Sequence, residues 1–174
     1  MKNTFQKLLF LIILMGSFSC IAQSDTVLNS NTTTIYFIRH AEKDRSNLSE
    51  KNPRLNTEGI KRSKKWVHFF KDIPLAAVYS TQYLRTEETA LPTATDKGLV
   101  IQFYDANKLN PTPFLEKHQG TAILIVGHSN TTPAFVNEFI KEKRFKDLSD
   151  NDNGSVFKVQ YINGQILVQQ YHVD

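Results

Sequence analysis

The sequence of 174 residues contains one cysteine, one tryptophan and seven glycines. Because Cys20 is the single cysteine and lies close to the N-terminus, the folded domain that follows has no disulfide. No internal repeat or low-complexity tract is present. Hydrophobic residues make up 40% of the chain, which is typical of a globular protein with one packed core, and the length predicts one domain.

The apolar run near the N-terminus is too short to cross a membrane. A transmembrane helix needs about 20 apolar residues, and here Gly16-Ser17 follows the run 8–15 directly. Lys2 and Lys7 precede that run and small residues follow it, which is the layout of a secretory signal peptide. We therefore expect export to the periplasm or the extracellular space.

The end of the signal peptide has two interpretations. Residues 20–22 resemble a signal peptidase site, which favours a signal peptide over 1–22, a polar tether over 23–32 and a folded domain over 33–174. Ser17 to Cys20 resembles an imperfect lipoprotein box, so lipid attachment at Cys20 stays open. Contact with a membrane is expected only in that second case.

Positive charge is in small excess and gives no sign of nucleic-acid binding. The formal charge of +4 includes two lysines of the signal peptide, and the rest of the chain has a balance of +2. Four cations cluster on a predicted helix whose Ile60, Val67 and Phe70 are expected to face inward; they are Lys61, Arg62, Lys64 and Lys65. Without an aromatic and basic stripe or a reader motif, this cluster predicts a solvated helix face.

Two histidines follow apolar runs that are typical of buried parallel strands. His40 comes after residues 33–38, and His128 comes after residues 121–126. Ligands of open α/β sheets bind beyond the carboxyl ends of such strands. A third run ends at Ser80, and the helix that leaves it brings Arg85 towards the same edge.

Together with Arg39, these residues predict a site for a phosphoryl group. Two guanidinium groups can give paired N–H bonds to phosphate oxygens. An imidazole can attack phosphorus and form a covalent intermediate. The predicted helix after Thr131-Thr132-Pro133, with threonine as cap and proline in the first turn, would add an N-terminus that favours an anion.

The order of four short motifs resembles the histidine phosphatase superfamily, whose founding branch is the cofactor-dependent phosphoglycerate mutases. Arg39-His40-Ala41-Glu42 is similar to that family's Arg-His-Gly-Glu, with alanine replacing glycine. The similarity continues through Leu55 to Gly59, Ser80 to Thr89 and Gly127-His128-Ser129, and covers about residues 33–140.

This resemblance implies a phosphatase mechanism. His40 would be the nucleophile that becomes phosphohistidine, while Arg39, Arg85 and His128 would bind the phosphoryl oxygens through the transition state. Only 38 positions separate Thr89 from His128, whereas many members have a cap insertion there. The implied enzyme is a minimal form without a cap and has an open site.

The substrate expected from location and analogy is a sugar phosphate, an envelope phosphate or a phosphoprotein. Two alternatives stay open. One is a catalytically inactive phosphate-binding or partner-binding domain on the same fold, and the other is a mutase that transfers a phosphoryl group between two positions of one substrate.

The general acid is less well defined by the sequence. Asp105 follows the strand-like run 99–104 and lies in the interval where the mutase branch has a catalytic glutamate, although it could equally shape a turn. Glu42 is the alternative donor. Asn130 and Ser129 are weaker candidates for substrate binding, since such residues are common in turns.

Two other chemistries fit poorly. Neither histidine belongs to a His-x-x-x-His motif or a carboxylate pair, so we expect no metal and no cofactor. The serine of a nucleophile elbow needs a glycine two positions later, where this chain has Thr131.

The predicted fold is a three-layer α/β sandwich with a mainly parallel sheet and helices on both faces, similar to the phosphoglycerate mutases. Asn163-Gly164 lies between two alternating runs near the C-terminus, which predicts a β-hairpin with a tight primed turn. This hairpin would supply the antiparallel strands.

Overall fold

The computed structural model describes residues 32–174. The expected signal peptide, its cleavage site and Cys20 lie outside the described residues, so export and lipid attachment stay predictions. Among residues 32–174, no helix is both long enough and apolar enough to cross a membrane.

In the described part of the chain, six strands form one sheet in the order β3-β2-β4-β1-β5-β6. The strands are β1 Thr32–Arg39, β2 Leu75–Ser80, β3 Ile101–Phe103, β4 Ala122–Gly127, β5 Ser155–Ile162 and β6 Gln165–His172. The first four run parallel to one another, whereas β5 and β6 are antiparallel to their neighbours. The prediction of a mainly parallel sheet with a C-terminal hairpin is therefore confirmed.

Within residues 32–174, four helices connect the strands, and apolar side chains pack on both faces of the sheet. The helices are α1 Thr57–Phe69, α2 Leu84–Asp96, α3 Thr112–Lys117 and α4 Thr131–Ile140. Trp66 and Phe70 pack with Ile38 and Val126 on one face, and residues of α4 such as Phe135 pack on the other. This arrangement is the predicted three-layer sandwich.

The C-terminal hairpin turns at Asn163-Gly164, as predicted. Both residues have positive φ, 50° and 83°, which a type I′ turn requires and which asparagine and glycine adopt at low cost. Strand β5 pairs with β1 along its length, so the hairpin extends the sheet beyond the parallel strands.

The predicted inward face of α1 is wrong at one position. Ile60 is half exposed, and the buried residues of the helix are Gly59, Ser63 and Trp66. A Cβ at Gly59 would lie only 2.2 Å from the carbonyl oxygen of Glu42, so glycine is needed where the helix approaches that backbone. This contact rotates Ile60 towards solvent.

Candidate active site

An open crevice of about 830 Å³ lies at the carboxyl ends of the parallel strands. The register pairs Arg39 of β1 with Gly127 of β4, so His40 and His128 leave the two strands side by side. Their ring centroids are 5.6 Å apart. The crevice is lined by Arg39, His40, Lys43, Thr81, Gln82, Tyr83, Arg85, Phe103, Tyr104, Asp105, Ala106, Asn107, His128, Ser129, Asn130, Thr131 and Asp150.

His40 is buried and has a fixed tautomer. Its Nδ1 lies 2.7 Å from the carbonyl oxygen of Ala41, and because a carbonyl can only accept, Nδ1 must carry the proton. Burial, with a smaller effect from the nearby cations, lowers the pKa of His40 to about 3. At neutral pH the ring is therefore uncharged, with a lone pair on Nε2.

The main chain on either side of His40 is also held in place. The N–H of His40 donates to the carbonyl of Gly127 over 2.9 Å, and Asn153 Nδ2 donates to the carbonyl of His40 over 2.8 Å. The N–H of Ala41 donates to Thr89 Oγ1, whose hydroxyl donates to the carbonyl of Arg85. The bond from Ala41 to Thr89 joins the segment after β1, which contains His40, to the helix that carries Arg85.

His128 is positioned by a hydroxyl that the sequence did not single out. Its Nε2 lies 3.0 Å from Thr81 Oγ1, which in turn lies 3.0 Å from Thr86 Oγ1. The single hydroxyl proton of Thr86 has the carbonyls of Thr81 and Tyr83 as acceptors at 2.9 and 2.8 Å. Burial, then Arg85 and the other cations, lowers the pKa of His128 to about 4.

Arg85 lies in the first turn of α2, packed on the ring of Tyr83. The guanidinium carbon is 4.5 Å from the centroid of that ring. The Nε and Nη1 atoms of Arg85 are buried and have no hydrogen-bond partner among the described residues. Buried N–H donors are rarely left unpaired in proteins, so these two are available for an anion.

Arg39 is bound mainly by a loop far along the chain. Nη1 donates to the carbonyls of Ser149, Asp150 and Asp152 at 2.8 to 3.1 Å, and Nη2 lies 3.2 Å from Asp150 Oδ1. The predicted pair of N–H bonds from Arg39 to phosphate therefore competes with these contacts. Nε of Arg39 is buried without a partner in the part of the chain that the structure describes.

The two carboxylates considered as general acids lie in different places. Asp105 lines the crevice, where its Oδ1 accepts the N–H of Asn107 over 2.9 Å and shapes a turn. Glu42 lines a neighbouring pocket, and its Oε1 accepts from Arg62 Nε over 2.8 Å. Asp105 is therefore the candidate of the two that faces the main crevice.

The start of α4 differs from the prediction in detail. Asn130 is the N-cap and makes no capping bond through its side chain, whereas Thr131 is the first helical residue. Thr131 Oγ1 accepts the N–H of His128 over 3.2 Å. Ser129 and Asn130 both line the crevice, so the N-terminus of α4 faces it as expected.

Positive charge dominates this site. Two guanidinium groups and Lys43 surround two imidazoles, and burial, with further lowering by Arg45 and Arg85, lowers the pKa of Lys43. Within residues 32–174 no group of three or more His, Cys, Asp or Glu side chains is placed to bind a metal ion. Unpaired N–H donors can bind the oxygens of a tetrahedral oxyanion. The uncharged imidazole beside them can attack its central atom.

Residues 35–107 match the family model of the histidine phosphatase superfamily, branch 1. No curated protein matches the sequence.

Solved structures with the same fold include several phosphatases. Phosphoserine phosphatase from Entamoeba histolytica, in complex with phosphoserine, aligns with a TM-score of 0.63 and 13% identity over 79% of this chain and 95% of that chain. A mycobacterial glucosyl-3-phosphoglycerate phosphatase aligns with a TM-score of 0.66 and 10% identity over 82% of this chain and 100% of that chain. The protein histidine phosphatase SixA, bound to tungstate, aligns with a TM-score of 0.62 and 16% identity over 80% of this chain and 96% of that chain.

Proposed function

We propose that this chain, a member of the histidine phosphatase superfamily, hydrolyses phosphate monoesters through a phosphohistidine formed on Nε2 of His40. One observation carries the proposal. A buried, uncharged imidazole with its proton fixed on Nδ1 lies in the same crevice as buried guanidinium N–H groups of Arg85 and Arg39 that have no partner among the described residues. Such donors are suited to the charge of a phosphoryl group in its transition state.

The first step forms the phosphoenzyme. The Nε2 lone pair of His40 attacks phosphorus, the P–N bond forms, and the P–O bond to the leaving group breaks. The electron pair of that bond goes to the leaving oxygen, which takes a proton from a donor in the crevice or from water. We propose Asp105 as this donor, since its carboxyl group lines the crevice.

The second step regenerates the enzyme. Water attacks phosphorus, the P–N bond breaks, and the electron pair returns to Nε2 of His40 as inorganic phosphate forms. The proton released by water goes to the group that served as acid or to solvent. Burial, and then the cations, lower the pKa of His128. A bound phosphate would offset the effect of the cations, so that His128 could be protonated and donate to a phosphoryl oxygen.

The substrates considered are small phosphate esters and phosphoproteins. The similar structures include a phosphoserine phosphatase and a protein histidine phosphatase, and both kinds of substrate enter this proposal by analogy. The crevice is open, which suits either.

We propose an exported enzyme, and the support is the sequence of residues 1–22 alone. Intact-mass measurement of the native protein decides the location. A chain beginning at Gln23 is expected. A lipid on Cys20 would place it at a membrane surface, and an unprocessed Met1 in the cytoplasm would contradict export.

The direct test is trapping of the phosphoenzyme. Purified protein mixed with radiolabelled p-nitrophenyl phosphate and quenched should carry a label that is stable to alkali and labile to acid, as a P–N bond is. His40→Asn should lose the label and turnover, whereas His172→Asn should keep both, because His172 is an exposed histidine on β6.

Two outcomes would contradict the proposal. Turnover of His40→Asn at the wild-type rate would exclude His40 as the nucleophile. Phosphate binding by the wild-type protein without any turnover would favour the inactive binding domain.

A further inference from the structure

Two large aromatic side chains on one side of the crevice are exposed although apolar groups usually pack away from water. Tyr83 is 42% exposed and Phe103 is 50% exposed, and both line the crevice that contains His40 and His128. Neither side chain is among the residues proposed above to bind or to attack the phosphoryl group. They are therefore candidates for contact with the rest of the substrate.

Tyr83 lies directly beside the phosphoryl site. Its ring centroid is 4.5 Å from the guanidinium carbon of Arg85 and 5.1 Å from the ring centroid of His128. A phosphoryl group bound by Arg85 and His128 would therefore have the Tyr83 ring within reach of its ester oxygen. The first atoms of the leaving group must pass this ring.

Phe103 extends the same side of the crevice. It is the last residue of β3 and pairs in register with Ser80, the last residue of β2, from which the chain continues to Tyr83. The opposite side, near the end of β1, presents Lys43 and the carboxylate of Asp150. The crevice thus has an aromatic side and a charged side.

We propose that the preferred substrates are phosphate monoesters whose leaving group carries an aromatic ring at or next to the ester oxygen, and that this ring packs on Tyr83 and Phe103. The inference rests on the proposed phosphoryl site at His40. Aromatic pairs in offset or edge-to-face contact gain free energy beyond the area they bury, whereas saturated rings of the same size gain only the burial. The aromatic side therefore selects a planar ring over a saturated ring.

Binding of two phosphonates measures this preference without any turnover. Benzylphosphonate and cyclohexylmethylphosphonate have the same charge and nearly the same size, and neither is hydrolysed. By calorimetry the wild-type protein should bind benzylphosphonate about tenfold more tightly, the order expected for one or two aromatic contacts.

Three variants locate the preference. Tyr83→Leu and Phe103→Leu should each reduce the ratio of the two dissociation constants at least threefold. Tyr171→Leu is the matched control, because Tyr171 is equally exposed, at 41%, but lies on β6. Phe103→Leu is informative even where Tyr83→Leu disturbs Arg85, since Phe103 has no contact of that kind with the guanidinium.

The outcomes separate this inference from the proposed function. A ratio near one in the wild type, or a ratio that neither leucine variant changes, overturns the aromatic preference even where p-nitrophenyl phosphate is hydrolysed. A tenfold ratio that falls in both variants supports the preference even where no ester is turned over, and only the proposed hydrolysis then fails. Absence of binding by both phosphonates overturns the aromatic preference, whereas the proposed hydrolysis is decided by turnover and by trapping of the phosphoenzyme.

Discussion

The floor and the rim of the crevice are built in opposite ways. On the floor, His40 is 4% exposed and Arg39 is 2% exposed, and each is bonded to backbone carbonyls. On the rim, Tyr83 and Phe103 are about half exposed. The side-chain contacts of Asp105 within residues 32–174 are local, to the N–H of Asn107 and to Lys108 three residues later. Buried, bonded groups keep their geometry when a ligand arrives, whereas exposed groups can be exchanged at little cost in folding.

This difference separates chemistry from selection. Preorganised groups on the floor need no reorganisation during the reaction, which is the source of electrostatic catalysis. Rim residues contact the part of a substrate that differs from one ester to another. Substitutions on the floor should therefore slow every substrate alike, and substitutions on the rim should change the ratio between substrates.

The largest effect is expected on the floor at Arg85. Arg85→Lys should lower kcat/KM on every phosphate ester by about a hundredfold or more, because one ammonium group cannot replace the two buried N–H donors of the guanidinium. Steady-state kinetics on an aryl and an alkyl ester measure it. Arg54→Lys is the control, since Arg54 is an exposed arginine that pairs with Glu88, a residue of the helix that carries Arg85. A loss confined to one ester would show that Arg85 selects between substrates, as a rim residue does, and would contradict its assignment to the floor.

On the rim, Asp105→Asn should distinguish substrates by their leaving groups. Asparagine keeps the oxygen that accepts the N–H of Asn107, so the turn is retained while the proton is lost. A general acid contributes about 10²-fold or more where the leaving group is a strong base. We expect that loss on an alkyl phosphate and little loss on p-nitrophenyl phosphate. Equal rates for variant and wild type on both esters would show that Asp105 shapes the turn and is not the general acid.

Much of the floor follows from local sequence. The runs before His40 and His128 are apolar and β-branched, so they predict buried parallel strands, and the carboxyl ends of parallel strands meet at one edge. Arg85 follows because its helix leaves the neighbouring strand. Each of these inferences needs only the residues on either side of the one concerned.

Contacts made across the chain could not be predicted in this way. The carbonyls that bind Arg39 lie 110 to 113 residues away, and a carbonyl has no side-chain signature. Ile60 is exposed because Gly59 must approach the backbone of Glu42, a contact that helical periodicity does not contain. Thr81 did carry a signal, since it is a polar residue directly after a strand, but nothing nearby in sequence pointed to His128.

The floor should also make stability depend on pH. The pKa of His40 is about 3 in the folded protein, compared with an ordinary value of 6.5. Between these values the unfolded chain binds a proton that the folded protein does not, so stability falls as pH decreases below 6.5. Between pH 7 and pH 5 the loss due to His40 is about 2 kcal/mol.

Chemical denaturation at several pH values checks this dependence. The free energy of unfolding of the wild type should fall more steeply towards acid pH than that of His40→Gln, which lacks the titrating group. His172→Gln is the control, since it removes an exposed histidine on β6. Parallel curves for the wild type and His40→Gln would contradict a buried, uncharged His40.

The smallest effect is expected one layer behind the floor, at Thr81. Thr81→Val keeps the shape of the side chain but removes the hydroxyl that lies 3.0 Å from His128 Nε2. We expect kcat to fall about tenfold on aryl and alkyl esters alike, which is the order of one lost hydrogen bond, and Thr81→Ser should restore it. Thr93→Val is the matched control, because Thr93 is a buried threonine of α2 whose hydroxyl has no partner among the described residues. If Thr81→Val is as fast as the wild type, packing rather than the hydroxyl positions His128, and the separation of floor from rim would then rest on Arg85 and His40 alone.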